Sequence, residues 1–311
     1  MKSNLFRTIN KYFTNKKFRF FINSEYLKLY NNMSDKKYLI KEYNATMGKK
    51  LNLDNPVTYS EKLQWLKLND RKDIYTTMVD KCKAKQFVSD IVGEEHTIPT
   101  IGIWDSFEEI NFDKLPNQFV LKCNHDSGSI VICRDKSKLD LSKTKKIIEK
   151  SLKRNYFLVH REWPYKNIER KIMCEPLLRD DGDENSWLVD YKFFCFNGEP
   201  KLCYISRDRS ENPTTDFFDM DFNHLPFRMK DPNSIVPPPK PDCFEQMKEI
   251  SKKLSKGIPH LRVDFYYVNN HIYVGELTFY HCAGFVNIVP DEWNYKLGNM
   301  IDLSLVKSIN K

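Results

Sequence analysis

His260–Gly284 reads HLRVDFYYVNNHIYVGELTFYHCAG. Two β-rich runs, Leu261–Val268 and His271–Leu277, flank Asn269-Asn270, a pair suited to the two left-handed positions of a tight hairpin turn. Side chains two apart on a strand share a face. Arg262 and Asp264 therefore point the same way, and Glu276 and Thr278 repeat that spacing on the partner strand. Two carboxylates and a hydroxyl on one face suit a hard, oxygen-ligated cation such as Mg²⁺. Arg262 beside them can hold a carboxylate or a phosphoryl oxygen. The competing reading is a cross-strand Arg–Glu pair on a solvated sheet. The apolar neighbours Phe265, Tyr266 and Val274 weigh against it.

Upstream, Gln118–Cys123 and Ile130–Cys133 read as strands around the polar turn Asn124-His125-Asp126-Ser127-Gly128-Ser129. A strand ending in Lys122, followed by a Gly/Ser turn, can fold over phosphate groups with its backbone N–H donors. The same residues also build ordinary hairpin turns. Lys171–Leu178, Trp187–Asn197 and Pro200–Ser206 read as further strands. The first holds Met173-Cys174-Glu175-Pro176, whose end can offer Glu175 and backbone groups to a nucleobase edge. The second places Asp190 and Lys192 on one face, and the third leads to Arg207 and Arg209. Helical periodicity marks Met78–Val92 (containing Asp80-Lys81), Leu141–Tyr156 and Phe244–Leu254, and Thr97–Ile101 suggests the start of a strand. Residues 207–242 are polar and Pro-rich, and read as a long irregular segment.

The N-terminal quarter is different. Residues 1–80 carry a net charge of +8, and the rest of the 311-residue chain carries none. Leu5, Ile9, Tyr12 and Phe13 recur at helical spacing among basic residues. That pattern fits an anionic membrane surface, and equally an ordinary helix with a solvated basic face. Thr58 or Ser60 can cap a helix through Leu68. Eight cysteines without a CxxC pair argue against zinc and against a disulfide framework, so a reducing cytoplasm is expected. The sequence shows no run long enough to span a membrane and no secretory leader pattern. HExxH, GxSxG and GxGxxG are absent, which disfavours a zinc hydrolase, a nucleophile-elbow hydrolase and a nicotinamide-dependent Rossmann enzyme. The diffuse basic excess carries no nucleic-acid-binding motif, so no nucleic acid partner is expected.

Taken in order, Asp80-Lys81, Lys122 with its turn, Glu175, Asp190, Arg262/Asp264 and Glu276-Leu277-Thr278 resemble the ATP-grasp superfamily, which includes the D-alanine–D-alanine ligases. Asn55–Leu66 (NPVTYSEKLQWL), Arg161–Tyr165 (REWPY), Asp190–Phe194 (DYKFF) and Gly275–Tyr280 (GELTFY) look like its TupA-like branch, from bacterial surface-polysaccharide loci. The resemblance covers roughly residues 35–300. It implies an α+β ATP-grasp fold, two α+β subdomains gripping ATP, with a helical N-terminal extension. The implied divisions are a basic helical region at 1–78 and an ATP-grasp domain at 79–311. Within the latter, about 118–178 would cover the nucleotide and about 187–300 would bind metal.

Residue by residue, the resemblance makes Lys81 and Lys122 the phosphate-holding lysines. His125, Asp126, Ser127, Gly128 and Ser129 become part of a mobile cover, and Glu175 the adenine-side acid. Asp190, with Lys192 on its face, falls at the ribose side. Asp264, Glu276 and Thr278 become the Mg²⁺ ligands, with Thr278 standing where the ligases usually have Asn. Arg262 lies near the reacting acyl group, and Arg207 or Arg209 stands in for a missing lysine. The implied activity is ATP-dependent amide formation through an acyl phosphate. It would join an amino acid or small amine to a uronic-acid-containing sugar or nucleotide sugar, in the cytoplasm or at the inner membrane surface. The alternative is a glycosyltransferase using a nucleotide sugar, for which Asp219-Met220-Asp221 supplies a DxD pattern.

Overall fold

The computed structural model describes residues 2–179, 188–207 and 213–306. Two antiparallel sheets dominate it. The smaller contains β1 (Gly102–Trp104), β2 (Phe119–Cys123), β3 (Val131–Cys133) and β4 (Ile172–Pro176), in spatial order β1-β4-β2-β3. The larger contains β5 (Asp190–Phe196), β6 (Glu199–Arg207), β7 (Thr214–Phe218), β8 (His260–Val268) and β9 (His271–Thr278), in order β7-β6-β5-β8-β9.

Alternation decides what each sheet presents. On β2, Phe119, Leu121 and Cys123 are buried, in a core shared with Ile148 of the helix Leu141–Leu152. Val120 and Lys122 face the other way. On β5, Phe193 packs on Phe244 of the helix Phe244–Leu254, with ring centres 5.3 Å apart. Asp190, Lys192 and Phe194 take the opposite face.

The β8–β9 turn has positive φ at Asn269 (50°) and Asn270 (58°), as a two-residue hairpin of this hand requires. Its register then shifts. Phe265 pairs with Val274, but Asp264 pairs with Glu276. Gly275 is the extra residue of a bulge. Without that bulge Gly275 would oppose Asp264, and Glu276 would turn to the other face. A Cβ on Gly275 would lie 2.7 Å from the Tyr266 ring, so glycine is what fits there.

Several sequence expectations shift. Met78–Val92 is not one helix. Asp73–Val79 ends before Asp80, whose carboxylate accepts from the Cys82 N–H (3.0 Å) ahead of Ala84–Val92. Local side-chain capping of this kind competes with helix continuation. The small strand β1 begins after Thr97–Ile101, at Gly102, and the helix from Leu141 stops at Leu152. The segment 207–242 is not wholly irregular. It contains the edge strand β7, held by Phe217 stacked on Phe227 (4.2 Å) and on Tyr204 (5.0 Å). Trp187 and Arg209 lie outside the described residues.

At the N-terminus, after the helix Lys2–Thr14, the helices Lys16–Phe21 and Asp35–Met47 gather a small core of Phe20, Tyr38, Leu39, Tyr43 and Leu51. Tyr59–Asn69 starts with a full capping box. Thr58 Oγ1 accepts from the Glu61 N–H, and Glu61 accepts from the Thr58 N–H. That helix lies over β8, where the Tyr59 hydroxyl meets His260 Nε2 at 3.0 Å. No helix among the described residues is long and apolar enough to cross a membrane.

Candidate active site

The open face of the five-stranded sheet carries a row of alternating charges, set by register. Lys192 opposes Asp264, Asp264 opposes Glu276, and Arg262 opposes Thr278. Lys192 Nζ lies 2.8 Å from Asp264 Oδ2 and 3.3 Å from Asp190 Oδ1. Arg262 grips Asp264 with two parallel bonds, Nε to Oδ1 at 2.6 Å and Nη2 to Oδ2 at 2.7 Å. Its Nη2 also donates to the Thr278 hydroxyl (3.1 Å), and Nη1 meets His281 Nδ1 at 2.6 Å. Burial opposes ionisation of Asp264, but Arg262 and Lys192 overcome it and hold the carboxyl below the usual range.

Burial and the adjacent Arg262 charge keep His281 neutral. A guanidinium cannot accept a hydrogen bond, so Nδ1 must be the acceptor and Nε2 carries the proton. That Nε2 lies 3.4 Å from Cys282 Sγ.

A cleft separates this face from the smaller sheet. Its narrow part is lined by Lys81, Lys85, Lys122, Glu175 and Glu276. Lys81 Nζ lies 3.7 Å from Glu276 Oε1 and donates to the Asp126 carbonyl (2.6 Å). Glu175 receives two ammonium groups, Lys122 at 2.5 Å and Lys85 at 2.7 Å. Burial disfavours its charge, yet the two lysines hold its carboxyl below the ordinary value. The cleft then widens to about 190 Å³, lined by Val120, Ile130, Ile132, Leu178 and Tyr266. Lys122, Glu175, Arg134 and Arg179 supply its polar groups, and apolar walls with a few polar groups suit a planar base held by stacking and edge contacts.

The turn after β2 does not present its side chains as expected. Asn124, His125, Asp126 and Ser129 are buried. Asn124 Nδ2 donates to Asp80 (2.9 Å), and Asp126 accepts from Ser129 (2.5 Å) and Ser151 (2.6 Å). His125 Nε2 lies 3.2 Å from the Ser151 carbonyl. Exposure is left to Ser127 and Gly128. The buried four brace the turn, because their short polar groups satisfy backbone and carboxylate partners that water cannot reach.

A family model described as TupA-like ATPgrasp matches residues 61–302. The chain belongs to the TupA-like ATP-grasp family. No curated protein sequence matches it. Among solved structures, it is similar to D-alanine–D-alanine ligase from Bacillus anthracis, with 17% identity and a TM-score of 0.41. The match covers 65% of this chain and 57% of that one, so the chain spans little more than half that ligase's length. The Helicobacter pylori D-alanine–D-alanine ligase gives 13% identity and a TM-score of 0.43, over 83% of this chain and 68% of that one. The ATP-grasp ligase PsnB, complexed with its minimal precursor, gives 9% and 0.37, over 81% and 66%.

In this TupA-like ATP-grasp chain the cleft gathers Lys81, Lys122, Glu175 and Glu276, with Asp264, Arg262, Lys192 and Asp190 on the adjoining face. Thr278 departs from its expected place. It opposes Arg262 in register, and its hydroxyl is taken up by that guanidinium. Arg207 is drawn aside, donating to the Val236 carbonyl (3.0 Å). Asp219 of the DxD pattern caps its own turn, accepting from the N–H groups of Asp221 (3.0 Å) and Asn223 (2.8 Å). Lys85 and His281 were missed as site residues. Lys85 lies in the first turn of Ala84–Val92, and only the long-range approach of Glu175 marks it.

The fold family implies Mg²⁺. Among the described residues no three His, Cys, Asp or Glu side chains converge. Mg²⁺ is commonly held by one or two carboxylates, with phosphate and water completing the shell. Glu276, partly exposed in the cleft, and Asp264 directly opposite fit that donor set.

Proposed function

We propose that the chain is an ATP- and Mg²⁺-dependent carboxylate–amine ligase. It would form an amide through an acyl phosphate, joining an amino acid or small amine to a uronic acid of a capsular or other surface-polysaccharide precursor. The observation carrying this reading is the opposed pair Asp264–Glu276, whose Glu276 lines the cleft together with Lys81 and Lys122. Family membership supports the nucleotide, and the chemistry of the face supports the reaction.

A carboxylate is a poor acyl donor because oxide is a poor leaving group. In the proposed reaction a substrate carboxylate oxygen attacks the γ-phosphorus and ADP departs. The amine nitrogen then attacks the acyl carbon, the C–O bond to phosphate breaks, and the amine's surplus proton leaves with the phosphate. Glu276 and Asp264 would hold Mg²⁺, which supplies charge neutralisation at the phosphates. Lys81 and Lys122 would bind the phosphoryl oxygens. To do so Lys122 must give up part of its contact with Glu175, and Lys85 remains to keep that buried acid paired. Asp264 must give up part of its contact with Arg262 and Lys192 to reach the metal, and Arg262, still held by Thr278 and His281, would stabilise the oxyanion at the acyl carbon. The exposed turn residues Ser127 and Gly128 would cover the phosphates with backbone N–H donors. The base would sit in the apolar slot, with Glu175 near its edge and Asp190 toward the ribose.

The test is direct. Protein incubated with ATP, Mg²⁺, glucuronate or galacturonate and an amino-acid pool should release ADP and phosphate and yield an amide by mass spectrometry. Turnover of a UDP-sugar without ATP would falsify the ligase reading and favour a glycosyltransferase.

We also propose cytoplasmic residence with the first helices resting on the inner membrane surface. Ile9, Phe13, Phe21 and Leu27 are exposed beside Lys11, Lys17 and Arg19. Apolar anchors within a basic surface suit anionic lipid. Co-sedimentation with phosphatidylglycerol vesicles, lost on Phe13→Glu, supports this placement, and failure to sediment contradicts it.

A further inference from the structure

A groove of about 380 Å³ lies outside the nucleotide cleft, between the segment Phe21–Lys28 and the end of the helix Leu141–Leu152. Four cations line it, Lys28, Lys150, Lys153 and Arg154, against one acid, Glu25. Glu25 is taken up by Arg154 Nη2 at 3.0 Å. Lys153 only approaches Glu149, at 3.9 Å, and the ammonium groups of Lys28 and Lys150 meet no carboxylate among the described residues. Like charges gathered in one groove repel one another, and a bound anion relieves that repulsion.

The lip of the groove is apolar. Phe21 (45% exposed) and Tyr26 (69%) meet edge to face at 5.5 Å, and Leu27 (54%) and Leu29 (63%) stand open on either side of Lys28 in the chain. This lip is held in shape. The Leu29 N–H donates to the Asn23 carbonyl (2.9 Å). The buried Arg161 guanidinium donates to the carbonyls of Tyr30 (2.8 Å) and Asn31 (3.2 Å). Arg161 opens the REWPY stretch, which the nucleotide chemistry does not use. A soluble acidic sugar or peptide has no need of exposed leucines around its site. A bilayer does: apolar and aromatic groups enter the acyl boundary while Lys and Arg take the headgroup phosphates.

The groove is close to the reaction cleft. The Arg154 guanidinium lies over the Tyr156 ring at 5.7 Å, and Tyr156 packs on Tyr165 with ring centres 4.9 Å apart. Burial raises both tyrosine hydroxyls, and the charges of Glu162 and Glu276 add to it. One aromatic pair thus stands between the cationic groove and the Glu276 side of the cleft.

We propose that this groove is a headgroup site for an anionic membrane lipid, its cations binding a phosphomonoester while Phe21, Tyr26, Leu27 and Leu29 enter the bilayer. The assignment rests on the membrane placement of the first helices and adds to it a choice of lipid. A phosphomonoester carries about two negative charges near neutral pH, and a phosphodiester about one. Four cations in one groove therefore favour the monoester. A chain docked by this lip holds its reaction cleft beside the lipid surface.

The experiment is co-sedimentation of the full chain with phosphatidylcholine vesicles that contain either dioleoyl phosphatidate or phosphatidylglycerol, at matched surface charge. Wild type is compared with the double variants Lys150→Gln/Lys153→Gln and Leu27→Ser/Leu29→Ser. Wild type should bind the phosphatidate vesicles at least about tenfold more tightly than the phosphatidylglycerol ones. The lysine variant should lose about tenfold or more of its phosphatidate affinity, and the preference with it. The leucine variant should bind both vesicles more weakly. MgATP affinity and melting temperature of both variants should match wild type, since all four side chains are exposed. The proposal is overturned if wild type binds the matched vesicles equally, or if the lysine variant keeps the preference. Calorimetric binding of glycerol 3-phosphate without binding of vesicles would mark a site for a soluble phosphate and also overturns it. Failure of the membrane placement looks different. Sedimentation with neither vesicle ends both, whereas phosphatidylglycerol binding that is lost on Phe13→Glu but untouched by the lysine variant, with no preference for phosphatidate, leaves the placement standing and ends the groove assignment.

Discussion

The two sheets approach the same cleft with opposite chemistries. On its open face the five-stranded sheet carries Asp190, Lys192, Arg262, Asp264 and Glu276, cross-paired by register. The side of the four-stranded sheet offers Val120, Ile130 and Ile132, with Lys122, Glu175, Arg134 and Arg179 as its charged groups. A charge lattice on a sheet can hold phosphates and a cation by exchanging its internal pairs for theirs. An apolar slot can hold a base through stacking. The contrast teaches that removing a charge from the larger sheet should strike chemistry, whereas changing the smaller sheet should strike nucleotide affinity.

The largest effect is expected from Asp264→Asn or Glu276→Gln. Either should lower ADP release by about a thousandfold or more, with the circular dichroism spectrum unchanged, since aimed electrostatic groups are worth this much in a closed site. Near-normal rates in both would break the contrast. Next comes Lys122→Ala, expected to weaken MgATP binding about ten- to a hundredfold by calorimetry, the loss of one charge-assisted bond to phosphate. Ile132→Asp should follow, costing about tenfold in ATP affinity by lining the slot with charge, while leaving thermal stability close to wild type because the position is solvent-facing. An affinity unchanged by this substitution would move the base out of the slot.

The smallest effect is one of pH. Burial works against the Glu175 charge, but Lys122 and Lys85 hold its folded pKa below the unfolded value of about 4.3. Its contribution to stability is therefore complete above that unfolded value and fades as pH falls through the lower folded one. The melting-temperature gap between wild type and Glu175→Gln should narrow as pH drops below about 4. A gap that widened in acid would reverse the assignment.

Much of this was legible because the β8–β9 hairpin announces itself. Asn269-Asn270 marks the turn, and alternation puts Arg262 with Asp264 and Glu276 with Thr278. Register was not legible. The Gly275 bulge decides that Asp264 faces Glu276 and that Thr278 serves Arg262 instead, and a bulge depends on how the Tyr266 ring lies against the chain. The helix break at Asp80 was hidden because its cause, a carboxylate shared with Cys82 and the distant Asn124, is partly long-range. The inward turn of His125, Asp126 and Ser129 was hidden similarly, since Ser151 and its helix supply the partners. The strand β7 is short, and its phenylalanines are recruited by Phe227 and Tyr204, far apart in the chain.

If one cleft holds ATP between a metal-binding sheet and an apolar one, nucleotide and Mg²⁺ binding are coupled. Calorimetric titration of the protein with ATP, with and without Mg²⁺, tests it most directly. One nucleotide should bind per chain, more tightly with Mg²⁺, and Asp264→Asn should abolish the Mg²⁺-dependent gain. Absence of ATP binding to wild type, or a Mg²⁺ effect undiminished in Asp264→Asn, would contradict it.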